Sequence, residues 1–164
     1  MLASKCYRVV LPSMIVALML VMLPLPNWAA HFRPDWVTLV MIYWVMALPE
    51  HVGVTIAWVF GLLLDVTQGA ILGQHALGLV LVAYLVMLEY QRIRVFSLLQ
   101  QSLVILVLLL IKQLLVLWVS GIVGQAPEDL VSYFMPSLVG AIIWPWLFVI
   151  LRDVRRRFTL SKRF

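Results

Sequence analysis

Trp36-Val37-Thr38-Leu39-Val40-Met41-Ile42-Tyr43-Trp44-Val45-Met46-Ala47-Leu48-Pro49-Glu50-His51-Val52-Gly53-Val54-Thr55-Ile56-Ala57-Trp58-Val59-Phe60-Gly61-Leu62-Leu63-Leu64-Asp65-Val66-Thr67-Gln68 is the stretch that decides the fold. Read as one helix it is far longer than a bilayer requires, and Pro49 would interrupt it. Read as two helices, it turns tightly at Pro49-Glu50-His51-Val52-Gly53. The choice sets the parity of the membrane crossings, and so the side on which the chain ends.

Working outward, the rest of the chain is also apolar. Hydrophobic residues make up 65% of 164 positions, and the mean hydropathy is +1.08. A water-soluble domain of this composition would expose large apolar patches and aggregate. The expected fold class is therefore an all-α integral membrane protein with six transmembrane helices in one bundle. The expected spans are Val9–Leu25, Trp36–Leu48, Val52–Gln68, His75–Glu89, Leu99–Val123 and Val131–Leu151, with Pro136 and Pro145 as kinks in the last. A cleaved signal peptide is the rival reading of the first span, but its flanks fit a cleavage site poorly. Residues 1–151 form the membrane domain and residues 152–164 a basic cytoplasmic tail.

Charge favours the two-helix reading. With six spans and a cytoplasmic N-terminus, Lys5, Arg8, Arg92, Arg94, Arg152, Arg155, Arg156, Arg157, Lys162 and Arg163 fall inside. Arg33 falls outside and Lys112 within the membrane, which accounts for the 12 Lys and Arg. That is a strong positive-inside bias, and five spans would reverse it for the tail. Both termini are then cytoplasmic. The net charge of +5 sits in the tail, where attraction to anionic lipid explains it and nucleic acid need not be invoked. Trp28, Trp36 and Trp146 lie at or near proposed span ends, where amphipathic rings settle, whereas Trp144 is several residues inside the sixth span and Trp58 and Trp118 lie deeper.

Gly53, Ala57, Gly61 and Asp65 recur every four residues along the third span, on one slowly winding helix face. Small residues there admit a neighbouring backbone. Two readings stand: packing inside the bundle, or a groove edged by Gly53, Ala57 and Gly61 for a partner's helix. Asp65 is expensive in hydrocarbon unless paired. Counted from the inner face, Asp65 and Lys112 both lie about 20 Å deep, so the expectation is a buried Asp65–Lys112 ion pair, with Arg33 the competing partner for Asp65. Arg33, Pro34 and Asp35 open the second span at the interface. Pro is tolerated in a first turn, and Asp35 suits the positive helix end.

No catalytic apparatus is visible. HExxH, GxSxG and the phosphate-cradling GxxxxGK[ST] are absent from the sequence, and no nucleophile is spaced to meet a base. His31, His51 and His75 fall at span ends on two sides, which disfavours a metal site. Cys6 is the single cysteine, so no internal disulfide forms. No cofactor is expected. The alternative reading is a small-molecule-binding subunit of a transporter, for whose ligand cavity the sequence offers a sparse set of polar groups, Asp65, Gln68, Gln74, Lys112 and Gln113.

The segments Phe32-Arg33-Pro34-Asp35-Trp36, Tyr43-Trp44, Ala47-Leu48-Pro49, Gly61-Leu62-Leu63-Leu64-Asp65 and Leu72-Gly73-Gln74-His75-Ala76-Leu77, with Trp144-Pro145-Trp146 before a basic tail, resemble the rod shape-determining MreD family of Gram-negative bacteria. The resemblance covers most of the chain and is densest from Phe32 to Leu88. It implies a non-enzymatic inner-membrane component of the cell-elongation, peptidoglycan-synthesising complex. It also implies that such a protein binds the bitopic protein MreC and works with MreB, RodA and a penicillin-binding transpeptidase. The fold it implies is similar to the substrate-binding subunits of energy-coupling-factor transporters.

Overall fold

The computed structural model describes the backbone of residues 2–160 and side chains from Cys6 to Phe158. Lys162 and Arg163 lie outside it. Among the described residues the secondary structure is all helical: α1 (Leu2–Met22), α2 (Asn27–Ala30), α3 (Trp36–Ala47), α4 (Val54–Gln68), α5 (Gln74–Val95), α6 (Leu98–Ile122) and α7 (Leu130–Leu160). The stretch quoted above is two helices, broken over residues 48–53. Three helices, Gln74–Val95, Leu98–Ile122 and Leu130–Phe158, are long and apolar enough to cross a membrane. Cys6–Met22, Trp36–Ala47 and Val54–Gln68 are shorter apolar helices.

Helix α3 is the axis of the bundle. Ten consecutive residues, Val37 to Met46, are buried. A helix apolar on every face belongs in a core, and α1, α5 and α7 pack around this one. At 12 residues it rises only about 18 Å. Helix α4 packs chiefly on α5, α5 on α6, and α6 on α7. Outward faces are apolar too: Leu11, Ile15 and Met19 on α1, Trp58 and Leu63 on α4, Leu103 and Trp118 on α6, Ile142 and Ile150 on α7.

The packing bears on three of the expectations. Helix α7 runs through the basic segment from Arg152 without a break to Leu160. Trp144, several residues inside the expected last span, belongs to the core. It is fully buried, and its indole Nε1 donates to Gln101 Oε1 at 3.2 Å. The small-residue face of α4 is filled from inside. Ala57 is fully buried, and a Cβ placed on Gly61 would stand 2.3 Å from the Cα of Ala76 on α5. At Gly53 it would stand 3.6 Å from Met87 Sδ, also on α5. Glycine at residue 61 thus lets two backbones meet, and α5 is the neighbour that packs on this face.

Candidate functional site

One group of polar residues gathers at the end of the bundle away from the C-terminal basic segment. Pro34 ends the loop before α3, and Asp35 caps the helix. The Asp35 carboxylate accepts from the Thr38 N–H at 3.3 Å and from the Thr38 hydroxyl at 2.7 Å. Lys112 reaches the same place from α6. Its Nζ donates to Asp35 Oδ2 and, at 2.7 Å, to Thr38 Oγ1. Lys112 is 2% exposed. Gly78 on α5 gives its stem room, for a Cβ there would stand 2.7 Å from Lys112 Cγ.

Asp65 does not meet Lys112. It sits at the C-terminal end of α4 and folds over the first turn of α5. Its carboxylate accepts from the backbone N–H groups of Gly73 (2.9 Å), His75 (2.8 Å) and Ala76 (3.4 Å). The ring Nδ1 of His75 lies 2.8 Å from Oδ1. The first N–H groups of a helix have no partner within it, and the dipole favours a carboxylate there. Gly69 (φ +64°) and Gly73 (φ +99°) take left-handed conformations that turn the chain tightly enough to bring α5 back onto Asp65. Equal depth gave two charges the same height, but it gave no azimuth around the bundle axis. Azimuth decides pairing, and it sends Lys112 to Asp35.

Arg33 is not a partner of Asp65 either. Its Nη1 and Nη2 donate to the carbonyls of Val21 and Leu23, at the end of α1. A cation there satisfies orphan acceptors and matches the negative dipole end. Gln74 of α5 donates to Val116 O (3.1 Å) and Ser120 Oγ (2.5 Å) of α6. Gln113 of α6 donates to Tyr133 O at 2.9 Å, and the Tyr133 hydroxyl donates to Gln113 O at 3.0 Å.

Between these ties lies a cleft of about 620 Å³. Its polar wall is made by His31, Arg33, Asp35, Gln68, Gln113 and Asp129. Asp129 accepts from Ser132 Oγ at 2.6 Å and Val131 N at 3.0 Å, which starts α7. Those bonds, the Ser132 hydroxyl foremost, hold its carboxyl below the usual aspartate value. Of the polar residues singled out in the sequence, Arg33, Asp35, Gln68 and Gln113 meet at this cleft, whereas Asp65, Gln74 and Lys112 are spent on ties between elements. Thr38 and Gly78 were not singled out, and His75 was weighed only as a metal ligand. The four-residue step from Gln74 to Gly78 beneath a buried lysine is a signal only once the helices are docked.

The family model described as rod shape-determining protein MreD matches residues 3–154. The chain belongs to the MreD family. A rod shape-determining protein MreD of Haemophilus influenzae is 31% identical over 155 residues, covering 92% of this chain and 93% of that one. No solved structure matches. The family is a structural, shape-determining one rather than an enzyme family, and it gives the chain a role in cell shape and membership of the rod-shape machinery.

Proposed function

We propose that this MreD-family chain is a non-catalytic scaffold of the cell-elongation complex. It crosses the bacterial inner membrane six times with both termini in the cytoplasm, in a bundle of the kind used by energy-coupling-factor substrate subunits. It docks the bitopic protein MreC and so holds MreB, RodA and a penicillin-binding transpeptidase near the membrane. The observation that carries the reading is the use made of the buried charges. Asp35, Asp65 and Lys112 are each consumed in capping or bridging helices, which is how a rigid support spends them.

With the α4 stripe filled by α5, a partner's helix needs another face. An apolar groove of about 480 Å³ between α6 and α7, formed by Leu106, Leu110, Leu130, Phe134, Met135 and Leu138, fits better. It runs beside the polar cleft, since Ser132, Tyr133 and Pro136 of the same helix line the cleft. A helix in the groove would lead its hydrophilic continuation onto Arg33 and Asp129.

Photo-crosslinkers at Phe134, Leu138 and Leu106, compared in living cells with Trp58 and Leu63 on α4, test this. MreC captured from the first set supports the groove, and capture from the α4 set alone refutes it. The cleft favours one second reading, a small-molecule-binding subunit of a transporter, because its volume suits a small ligand. A stoichiometric ligand on the purified chain, lost on Gln113→Ala, would establish that reading instead.

A further inference from the structure

The opposite end of the bundle holds a second polar cavity, of about 280 Å³, between the end of α3, the last turn of α5 and the C-terminal part of α7. Three guanidinium groups line it, those of Arg94, Arg152 and Arg155, together with Tyr43 and Phe148. Tyr43 is 2% exposed, and its hydroxyl is buried without a hydrogen-bond partner. Buried hydroxyls almost always have one. The Nε of Arg152 is also buried and makes no hydrogen bond. The Asp153 carboxylate stands 3.7 Å from it, beyond hydrogen-bond reach. Arg94 is held in place by its bonds to the carbonyls of Met46 and Ala47 and by stacking 5.0 Å above the Tyr90 ring. Around the Tyr43 hydroxyl the acting charges are Arg155, Arg152 and Arg156, with Asp153 opposing them.

We propose that this cavity binds a phosphate-bearing anion, the headgroup of an anionic phospholipid in the leaflet at the basic end of the bundle, with Arg152 and Tyr43 donating to the phosphate oxygens. Guanidinium forks match phosphate geometry. The Tyr43 hydroxyl supplies a neutral donor at the floor, and Phe148 supplies an apolar wall for the glycerol region. Basic pockets between membrane helices are the usual seats of such headgroups. Diffuse attraction of a basic segment to a charged surface needs no cavity and no buried hydroxyl. The geometry here has both.

Two variants separate the site from that diffuse attraction. Tyr43→Phe removes a hydroxyl that nothing in the fold uses, so the lipid-free protein should melt at the wild-type temperature or slightly above it. Arg157→Gln removes an exposed charge outside the cavity. Native mass spectrometry of the full chain in detergent, with added phosphatidylglycerol or phosphatidylethanolamine, reads occupancy. The wild type should retain phosphatidylglycerol in preference. Arg152→Gln should weaken that retention about tenfold, and Tyr43→Phe a few-fold, while Arg157→Gln keeps it. Melting of the same proteins in nanodiscs should show the phosphatidylglycerol-dependent rise in Tm shrinking in parallel. Equal losses for Arg152→Gln and Arg157→Gln, or no preference for the anionic lipid, would overturn the proposal. Millimolar inorganic phosphate giving the same rise in Tm in lipid-free detergent would assign the site to a soluble phosphate and overturn the lipid source.

Discussion

Lys112 is the residue whose removal tests the site most directly. In Lys112→Met the stem volume is nearly kept, so packing against Gly78 changes little. The charge and its two bonds, to Asp35 Oδ2 and Thr38 Oγ1, are lost. Breaking a buried ion pair from one side costs about 3–5 kcal/mol, because the remaining charge has no counterpart. Here the Lys112 side chain is 3% exposed but Asp35 is 24% exposed, and the carboxylate keeps its bonds to Thr38. The cost should therefore fall to about 2–3 kcal/mol. Removing the second charge as well should recover much of it, since a buried pair replaced by apolar groups is often neutral. The assay is a double-mutant cycle of Asp35→Asn and Lys112→Met by thermal unfolding in detergent. It is run beside an identical cycle with Asp65→Asn. The first pair should couple by at least about 1 kcal/mol, and the second should be additive within about 0.5 kcal/mol. Coupling in the Asp65 cycle and additivity in the Asp35 cycle would refute the assignment of Lys112.

Gly61→Val should abolish accumulation of folded protein, because its side chain would have to occupy the space of the Ala76 backbone, an overpacking cost of about 3 kcal/mol or more; monodispersity on gel filtration reads this. Ala57→Leu should likewise unpack the bundle rather than release a partner selectively, seen as loss of the folded species instead of an intact chain with a failed pull-down. Asp65→Asn removes the charge that accepts from the start of α5 and should cost about 2 kcal/mol, with faster hydrogen exchange at Gly73 and His75. For Asp129 the folded value is lowered, so its cap on α7 is fully present above the ordinary aspartate value of 3.8 and is lost as pH falls through the lowered one; exchange at Val131, corrected for intrinsic pH dependence, should accelerate only below that range.

The helical class, the break at Pro49 and the start of α3 at Asp35 were legible because each has a local cause. Apolar run length, a missing N–H and a capping carboxylate act within a few residues. The six stretches of apolar sequence each hold a helix for the same reason. What the sequence withheld was direction around the bundle. Four-residue spacing marked Gly53, Ala57 and Gly61 as a face for close approach but could not say whose backbone approaches, and α5 claims it. Depth arithmetic placed Asp65 and Lys112 level, yet each turned to a partner nearer in azimuth. The polar cleft was half legible. Arg33 and Asp35 were marked by position, whereas Tyr133 and Asp129 enter only through the docking of α7.

Intramembrane charge is usually taken as a sign of a pathway or a proton relay, and in this bundle a different cause accounts for it. Helix α3 spans about 18 Å, well short of the ~30 Å of hydrocarbon in a bilayer. Its two ends abut polar clefts inside the bundle, where side chains of other elements meet its unpaired N–H and C=O groups. At its start Asp35 accepts from the Thr38 N–H, with Lys112 balancing the carboxylate. At its end Arg94 donates to the carbonyls of Met46 and Ala47. The signs follow the helix dipole, negative at the first turn and positive at the last. The same device recurs where Arg33 closes α1 and Asp65 opens α5. Each charge comes from another helix or from the loop just outside the helix it caps, so capping also docks elements together. Lys112 and Arg94, on the two long helices α6 and α5, reach the two ends of this short core helix with charged side chains and tie it to its neighbours.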